Sequence, residues 1–182
     1  ARGIDKLQAI QQAFQDQYQV HVTVIRKDLS QEAAPEELYR EVQAADVPVD
    51  FLINNAGFGE YGLFTGTNWA KELAMIHLNM VALTYLTKRF LQDMTARGGG
   101  RIMNVASTAA FQPGPLMAVY FATKAYVLSF TEAIANEAGG TSVTVTVLCP
   151  GPTATGFIQA SSTEQSGLFK GSHLPTPDQV AR

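Results

Sequence analysis

Apolar residues return at helical spacing from residue 4 to residue 18 (Ile4, Leu7, Ile10, Phe14 and Tyr18, with Gln11 beside Ile10) and predict an amphipathic helix. The pattern then switches period. "VHVTVI" at 20–25 alternates and is β-branched, which predicts a strand. After "KDLS" comes a second helix over roughly 33–45, and "DVPVDFLINNAG" carries a short strand at 49–53. "GFGEYGLF" is a glycine-broken loop. Residues 69–96 form one long helix, closed by the stop signal "RGGG". A strand over 101–107 ("RIMNVAS"), a proline-containing loop ("FQPGPLM"), a helix over 118–137 and a strand over 142–150 ("SVTVTVLCP") complete the clear pattern. The chain beyond residue 150 is loop-like, with room for a short helix.

Short apolar strands alternating with helices predict βαβ units, hence an α/β fold with a parallel sheet covered by helices on both faces. The 182 residues suit a single domain. Both ends are unusual. The chain opens on "AR" and runs straight into a helix, and it closes on "PDQVAR", which reads as the first turn of another. The expectation is therefore a piece of a larger α/β domain.

Composition removes several function classes. With 46% hydrophobic and 16% charged residues the chain is globular, and a net charge of −3 offers no concentrated basic face for nucleic acid. No run reaches the length of a membrane span and no basic-then-apolar leader is present, so the expected setting is cytoplasmic, without membrane contact. The single cysteine, Cys149, cannot form an internal disulfide; following "VTVTVL" it reads as a buried small hydrophobe. His21, His77 and His173 stand on different elements without ligand spacing, so no metal site is expected.

The chemistry gathers at strand ends. Tyr120 and Lys124 stand four apart in "YFATK", on one face of the predicted helix. A phenol ionises near pH 10, too high for proton transfer at neutrality, and an adjacent ammonium favours the phenolate. Alone, the pair reads more readily as a snorkelling lysine beside a half-buried tyrosine. Ser107, just past the strand "IMNVAS", either bonds a substrate oxygen or caps the turn in "STAA". "NNAG" (Asn54, Asn55, Ala56, Gly57) ends another strand, where small residues admit a bulky ligand or make an ordinary turn. Asp28 would accept from an adenine amino group or cap the next helix, and Pro150 and Gly151, with Thr153, would receive a cofactor carboxamide. Ligands of open parallel sheets bind beyond these carboxyl ends.

Taken in order, these motifs resemble the short-chain dehydrogenase/reductase family of NAD(P)-dependent oxidoreductases on a Rossmann-type, doubly wound sheet. The match runs from "DL" at 28–29 through "NNAG", Asn79, Ser107 and the Tyr-x-x-x-Lys of 120–124 to "PG" and Thr153, with the family's usual 13-residue gap between Ser107 and Tyr120. The resemblance implies that Tyr120 is the acid/base, that Lys124 lowers its pKa and bonds the nicotinamide ribose, and that Ser107 orients the substrate oxygen. It implies that Asn79 holds a water in a proton relay from Lys124. Asp28 and Leu29 would border the adenine, Asn54 to Gly57 its ribose, and Pro150, Gly151 and Thr153 the nicotinamide.

Two departures stand out. Thr123 occupies a position where the family has Ser or Ala, a change with no obvious cost. The glycine-rich TGxxxGxG turn that wraps the pyrophosphate is absent, so residues 1–182 are expected to be a partial NAD(P)-binding domain without the first strand or the last strand and helix. Arg2, beyond the expected end of the family's second strand, favours NADP over NAD, because a guanidinium pairs with a 2′-phosphate; Ala1 is not the acidic residue common in NAD users.

The expected reaction is reversible reduction of a carbonyl, or oxidation of a secondary alcohol. Phe58, Tyr61, Phe64, Phe111, Leu116, Met117 and Phe157 would line a mainly apolar pocket whose only nearby cation is Lys170. The long helices 69–96 and 118–137 would join a homodimer or homotetramer. The alternatives are an extended epimerase or dehydratase of the same superfamily and a non-catalytic cofactor-binding protein.

Overall fold

The computed structural model describes residues 2–157, 161 and 174–181. Helix α1 (Ile4–Tyr18) and helix α2 (Ala34–Ala44) precede strand β1 (Phe51–Asn54). Helix α3 (Trp69–Ile76) continues through a π turn (His77–Ala82) into helix α4 (Leu83–Arg97). Strand β2 (Gly100–Val105), a 3₁₀ turn (Thr108–Phe111), helix α5 (Ala118–Glu137) and strand β3 (Val143–Leu148) come next, with a short helix α6 (Pro177–Val180) near the end.

The three strands form a parallel sheet in the order β1-β2-β3. Asn54 pairs with Asn104 and Val105 with Leu148, so every strand delivers its carboxyl end to one rim. Helices α2, α4 and α5 cover one face. Tyr39, Leu86, Phe90, Met94, Ile102, Val143 and Val145 make the largest buried cluster there. The other face is open among the described residues, with Phe51 66% and Ile53 58% exposed. The sheet is thus parallel and helix-flanked as expected, while the cover on the second face is not seen.

Residues 20–25 differ from their sequence pattern. Their inside–outside alternation survives, with His21 and Thr23 exposed and Val22 and Val24 partly covered, yet no ladder forms. A strand needs a hydrogen-bonded neighbour, and none of the described strands lies beside this segment; it is held to α1 by Gln11 Nε2 donating to the Val22 carbonyl at 2.6 Å. The long helix ends as its glycines predict: Gly98 takes φ 85° at the C-cap, a left-handed conformation natural to glycine. Next to it, a Cβ on Gly100 would lie 2.4 Å from Met94 Cγ, so α4 and β2 can approach this closely only with glycine there. The predicted closing turn is also present. Thr176 caps α6 reciprocally with Gln179.

Candidate active site

A chain of buried amides and hydroxyls sets the rim. Asn54, predicted at the cofactor ribose, turns its side chain inward instead and donates to Thr87 Oγ1 at 3.0 Å and Asn104 Oδ1 at 2.9 Å. Asn104, with no exposed surface, donates in turn to Thr131 Oγ1 at 3.1 Å. This network ties β1 and β2 to α4 and α5. Asn104, Thr87 and Thr131 do not stand out in the sequence; the available signal is a polar residue in the middle of "RIMNVAS". Asn55, Ala56 and Gly57 beyond it are exposed at the rim.

Tyr120 and Lys124 come from the first two turns of α5, both buried. The Lys124 ammonium donates to the Val105 carbonyl at 2.8 Å, at the end of β2, and lies 5.9 Å from the Tyr120 ring centroid. Burial lowers the Lys124 pKa to about 8, against a smaller opposing effect of Cys149. Burial also pushes the Tyr120 phenol up, and the Ser107 hydroxyl, its hydrogen-bonding neighbour, works in the other direction. Desolvation is the larger effect.

Ser107 fills the capping role. Its oxygen accepts from the Ala109 backbone N–H at 3.1 Å, capping the 3₁₀ turn, and its side chain lies near Tyr120. The strand ends around it are laced together, Ala106 N–H to Leu148 O at 2.8 Å and Thr108 N–H to Pro150 O at 3.0 Å. Cys149 is only partly covered, packs beside Leu83, Ala106 and Val127, and has its thiol pushed up by burial.

Asn79 sits in the π turn at 1% exposure. Its Oδ1 accepts from the Phe58 N–H at 3.2 Å, and its Nδ2 donates to Phe58 O at 3.0 Å and Thr123 Oγ1 at 3.1 Å. Both amide protons are thereby engaged, and Oδ1 accepts one bond. A Cβ on Gly57 would stand 3.1 Å from Asn79 Oδ1 and 3.5 Å from Lys124 Nζ, so the bare backbone there comes close to both.

Ahead of the strands, Arg2 reaches Asp28, 3.7 Å apart, with the Arg2 side chain 79% exposed. Asp28 Oδ1 also accepts from the Ser30 N–H and hydroxyl at 3.1 and 2.7 Å. Those bonds, Ser30's hydroxyl foremost, hold the Asp28 carboxyl below its usual range. Leu29 packs partly buried against the main core. Pro150 is partly covered and Gly151 exposed, and the Thr153 hydroxyl donates to Gly151 O at 3.0 Å.

Around Tyr120 gather Phe58, Tyr61, Met117, Phe121 and Phe157, with the Phe157 ring 5.1 Å from that of Tyr120. Phe64 and Phe111, also expected in the pocket, are each 66% exposed, and Leu116 flanks a shallow cleft with Glu60, Thr67 and Glu72. Glu60 is ion-paired with Lys71, a cation that its sequence position does not bring near the pocket; Lys170 and His173 lie outside the described residues. Among the described residues no three His, Cys, Asp or Glu side chains gather as a metal site, and no helix is long and apolar enough to cross a membrane.

A family model described as short chain dehydrogenase matches residues 1–166. The chain is 40% identical over 111 residues to the ketoacyl reductase HetN of Nostoc sp., covering 60% of this chain and 39% of that protein. It is 31% identical over 154 residues to a 7beta-hydroxysteroid dehydrogenase of Collinsella aerofaciens, covering 85% of this chain and 58% of the relative. A solved short-chain dehydrogenase from Sphingobium yanoikuyae in complex with NADPH superposes with TM-score 0.88 at 26% identity, over 99% of this chain and 69% of that one. The chain thus spans less than two thirds of the length of these two curated relatives.

Proposed function

The chain belongs to the short chain dehydrogenase family, and from that premise we propose that its protein is an NADP(H)-dependent oxidoreductase reducing a carbonyl, or oxidising a secondary alcohol, on a mainly apolar small molecule. The observation that carries the reading is the gathering of Ser107, Tyr120 and Lys124 at the carboxyl end of β2, where the Lys124 ammonium bonds the Val105 carbonyl.

The rim suits a dinucleotide. Gly57 lies bare beside Asn79 and Lys124, Asn55 and Ala56 are open, and the exposed Arg2 guanidinium can meet a 2′-phosphate at the adenine end marked by Asp28 and Leu29. Pro150, Gly151 and Thr153 stand where the nicotinamide would lie, and NAD is the second choice of cofactor. Bound there, the cofactor supplies or receives the hydride.

The remaining work belongs to side chains. Ser107 and Tyr120 donate to the substrate oxygen and stabilise charge developing on it. A phenol whose pKa is raised by burial keeps its proton at neutral pH, as an acid requires; it needs a cation nearby to release it in the transition state. Lys124, titrating near 8, is placed to carry that charge and to pass a proton onward. Because both Asn79 amide protons are engaged, this residue can hold a water in the relay only through an oxygen, Oδ1 or its backbone carbonyl in the π turn.

The apolar wall of Phe58, Tyr61, Met117 and Phe157 supports an apolar substrate, and Lys71 offsets the charge of Glu60 beside it. Two of the relatives are named for ketoacyl and hydroxysteroid substrates. Trp69, Leu73 and Val81 on α3 and its π turn are exposed, as is the stripe Ala118, Ala122, Ala125 and Ser129 on α5. These faces suit a homodimer or homotetramer built through the two long helices. A cytoplasmic setting agrees with the single cysteine. The test is NADPH consumption by the full protein against a panel of apolar ketones, with NADH in parallel. No oxidation of either cofactor with any ketone would overturn the reading.

A further inference from the structure

Resting on the site proposed above, we infer that Thr123 is a positioning residue: its hydroxyl locks the Asn79 amide and, through it, the loop at Gly57 and Phe58 that borders the cofactor. Thr123 is 1% exposed and its Oγ1 donates to the Tyr120 carbonyl at 2.7 Å. A hydroxyl has one proton. With that proton engaged, Thr123 meets Asn79 only as an acceptor, so the Nδ2 end of the amide must face it, at 3.1 Å. This orientation is the one that turns Oδ1 toward the Phe58 N–H and leaves the second amide proton for Phe58 O.

Polarity therefore runs in one sense from the helix that bears Tyr120 to the rim. Turning the amide over would set oxygen against oxygen and N–H against N–H at Phe58. Removing the hydroxyl leaves a donor of Asn79 unpaired in a buried place, and unpaired buried donors are costly. The slack appears at Gly57, whose backbone adjoins both Asn79 Oδ1 and Lys124 Nζ. Serine can supply the same acceptor to Asn79; alanine and valine cannot.

The experiment compares Thr123→Val and Thr123→Ser in the full protein, read by turnover and by hydrogen exchange at the Phe58 amide. Thr123→Val is expected to lower kcat/KM for NADPH about 10-fold, to move the pH profile of kcat, and to cut Phe58 protection about 10-fold, the equivalent of about 1.4 kcal/mol. Thr123→Ser should restore all three to within about twofold, the span of a few tenths of a kcal/mol. If Val and Ser agree in Phe58 protection and pH profile, Thr123 supports only the fold and the inference is wrong, whatever the melting temperatures. If Thr123→Val does not fold, Thr123→Ala is read against Ser by the same measures. A wild-type protein that consumes no NADPH would sink the proposed reaction, whereas the exchange at Phe58 still decides the lock.

Discussion

Two parts of the proposed site, around Tyr120 and around Arg2, are built on different principles. At the Tyr120 end the groups are buried and joined by directional bonds: Lys124 to Val105, Thr123 to Tyr120, Asn79 to Phe58. At the Arg2 end an exposed guanidinium stands 3.7 Å from a partly exposed carboxylate. Dry hydrogen bonds hold atoms to fractions of an ångström and resist salt, while exposed charges are screened within about 8 Å at physiological ionic strength. Reacting atoms need the first kind of support. A phosphate handle far from the chemistry can be held by the second.

The sharpest way to break this contrast is Tyr120→Phe, which should reduce turnover by about 10³-fold or more while leaving the NADPH dissociation constant nearly unchanged, since acid/base groups contribute about 10²–10⁴-fold; stopped-flow and cofactor fluorescence separate the two. Next comes Lys124. Its folded pKa is lowered to about 8, so between there and the ordinary value of 10.5 the unfolded chain holds a proton that the folded one has released. Stability contributed by this group therefore rises with pH across that window, with a slope approaching about 1.4 kcal/mol per pH unit. Lys124→Met should flatten the rise in urea titrations run from neutral to alkaline pH.

A third substitution tests the polar layer below the rim. Asn104→Ala should lower stability by about 2 kcal/mol, because it removes the buried acceptor shared by the Asn54 amide and the Thr87 hydroxyl. Smallest is Arg2→Ala: NADPH affinity should fall about 10-fold, or about 1.4 kcal/mol, with NADH affinity unmoved. Added salt should erase most of that difference. A salt-insensitive loss would place Arg2 among the buried contacts and dissolve the contrast.

Periodicity reads well where one residue class repeats. The helices 4–18 and 118–137 match their observed bounds, and the alternation of "VTVTVL" marks β3. It fails where structure depends on a neighbour. "VHVTVI" has every local mark of a strand and makes no ladder, since pairing is a property of two segments. The π turn at 77–82 is invisible in the sequence because one added residue leaves the apolar pattern nearly intact; Asn79, an amide inside "IHLNMVAL", is its only trace. In the site, Ser107, Tyr120 and Lys124 are legible from spacing. The inward turn of Asn54 is not, because an amide at a strand end reads alike whether it faces ligand or core. Thr123 hides for the same reason: substitution by a similar residue looks neutral until its one proton is followed.

The open flank of β1 has a practical consequence. Phe51 and Ile53 lie exposed, and among the described residues no strand pairs with the outer edge of β1. Free strand edges with apolar side chains template further pairing between molecules. Residues 1–182 produced by themselves should aggregate as concentration rises, and a lysine introduced at Ile53 would act as a gatekeeper that keeps them in solution.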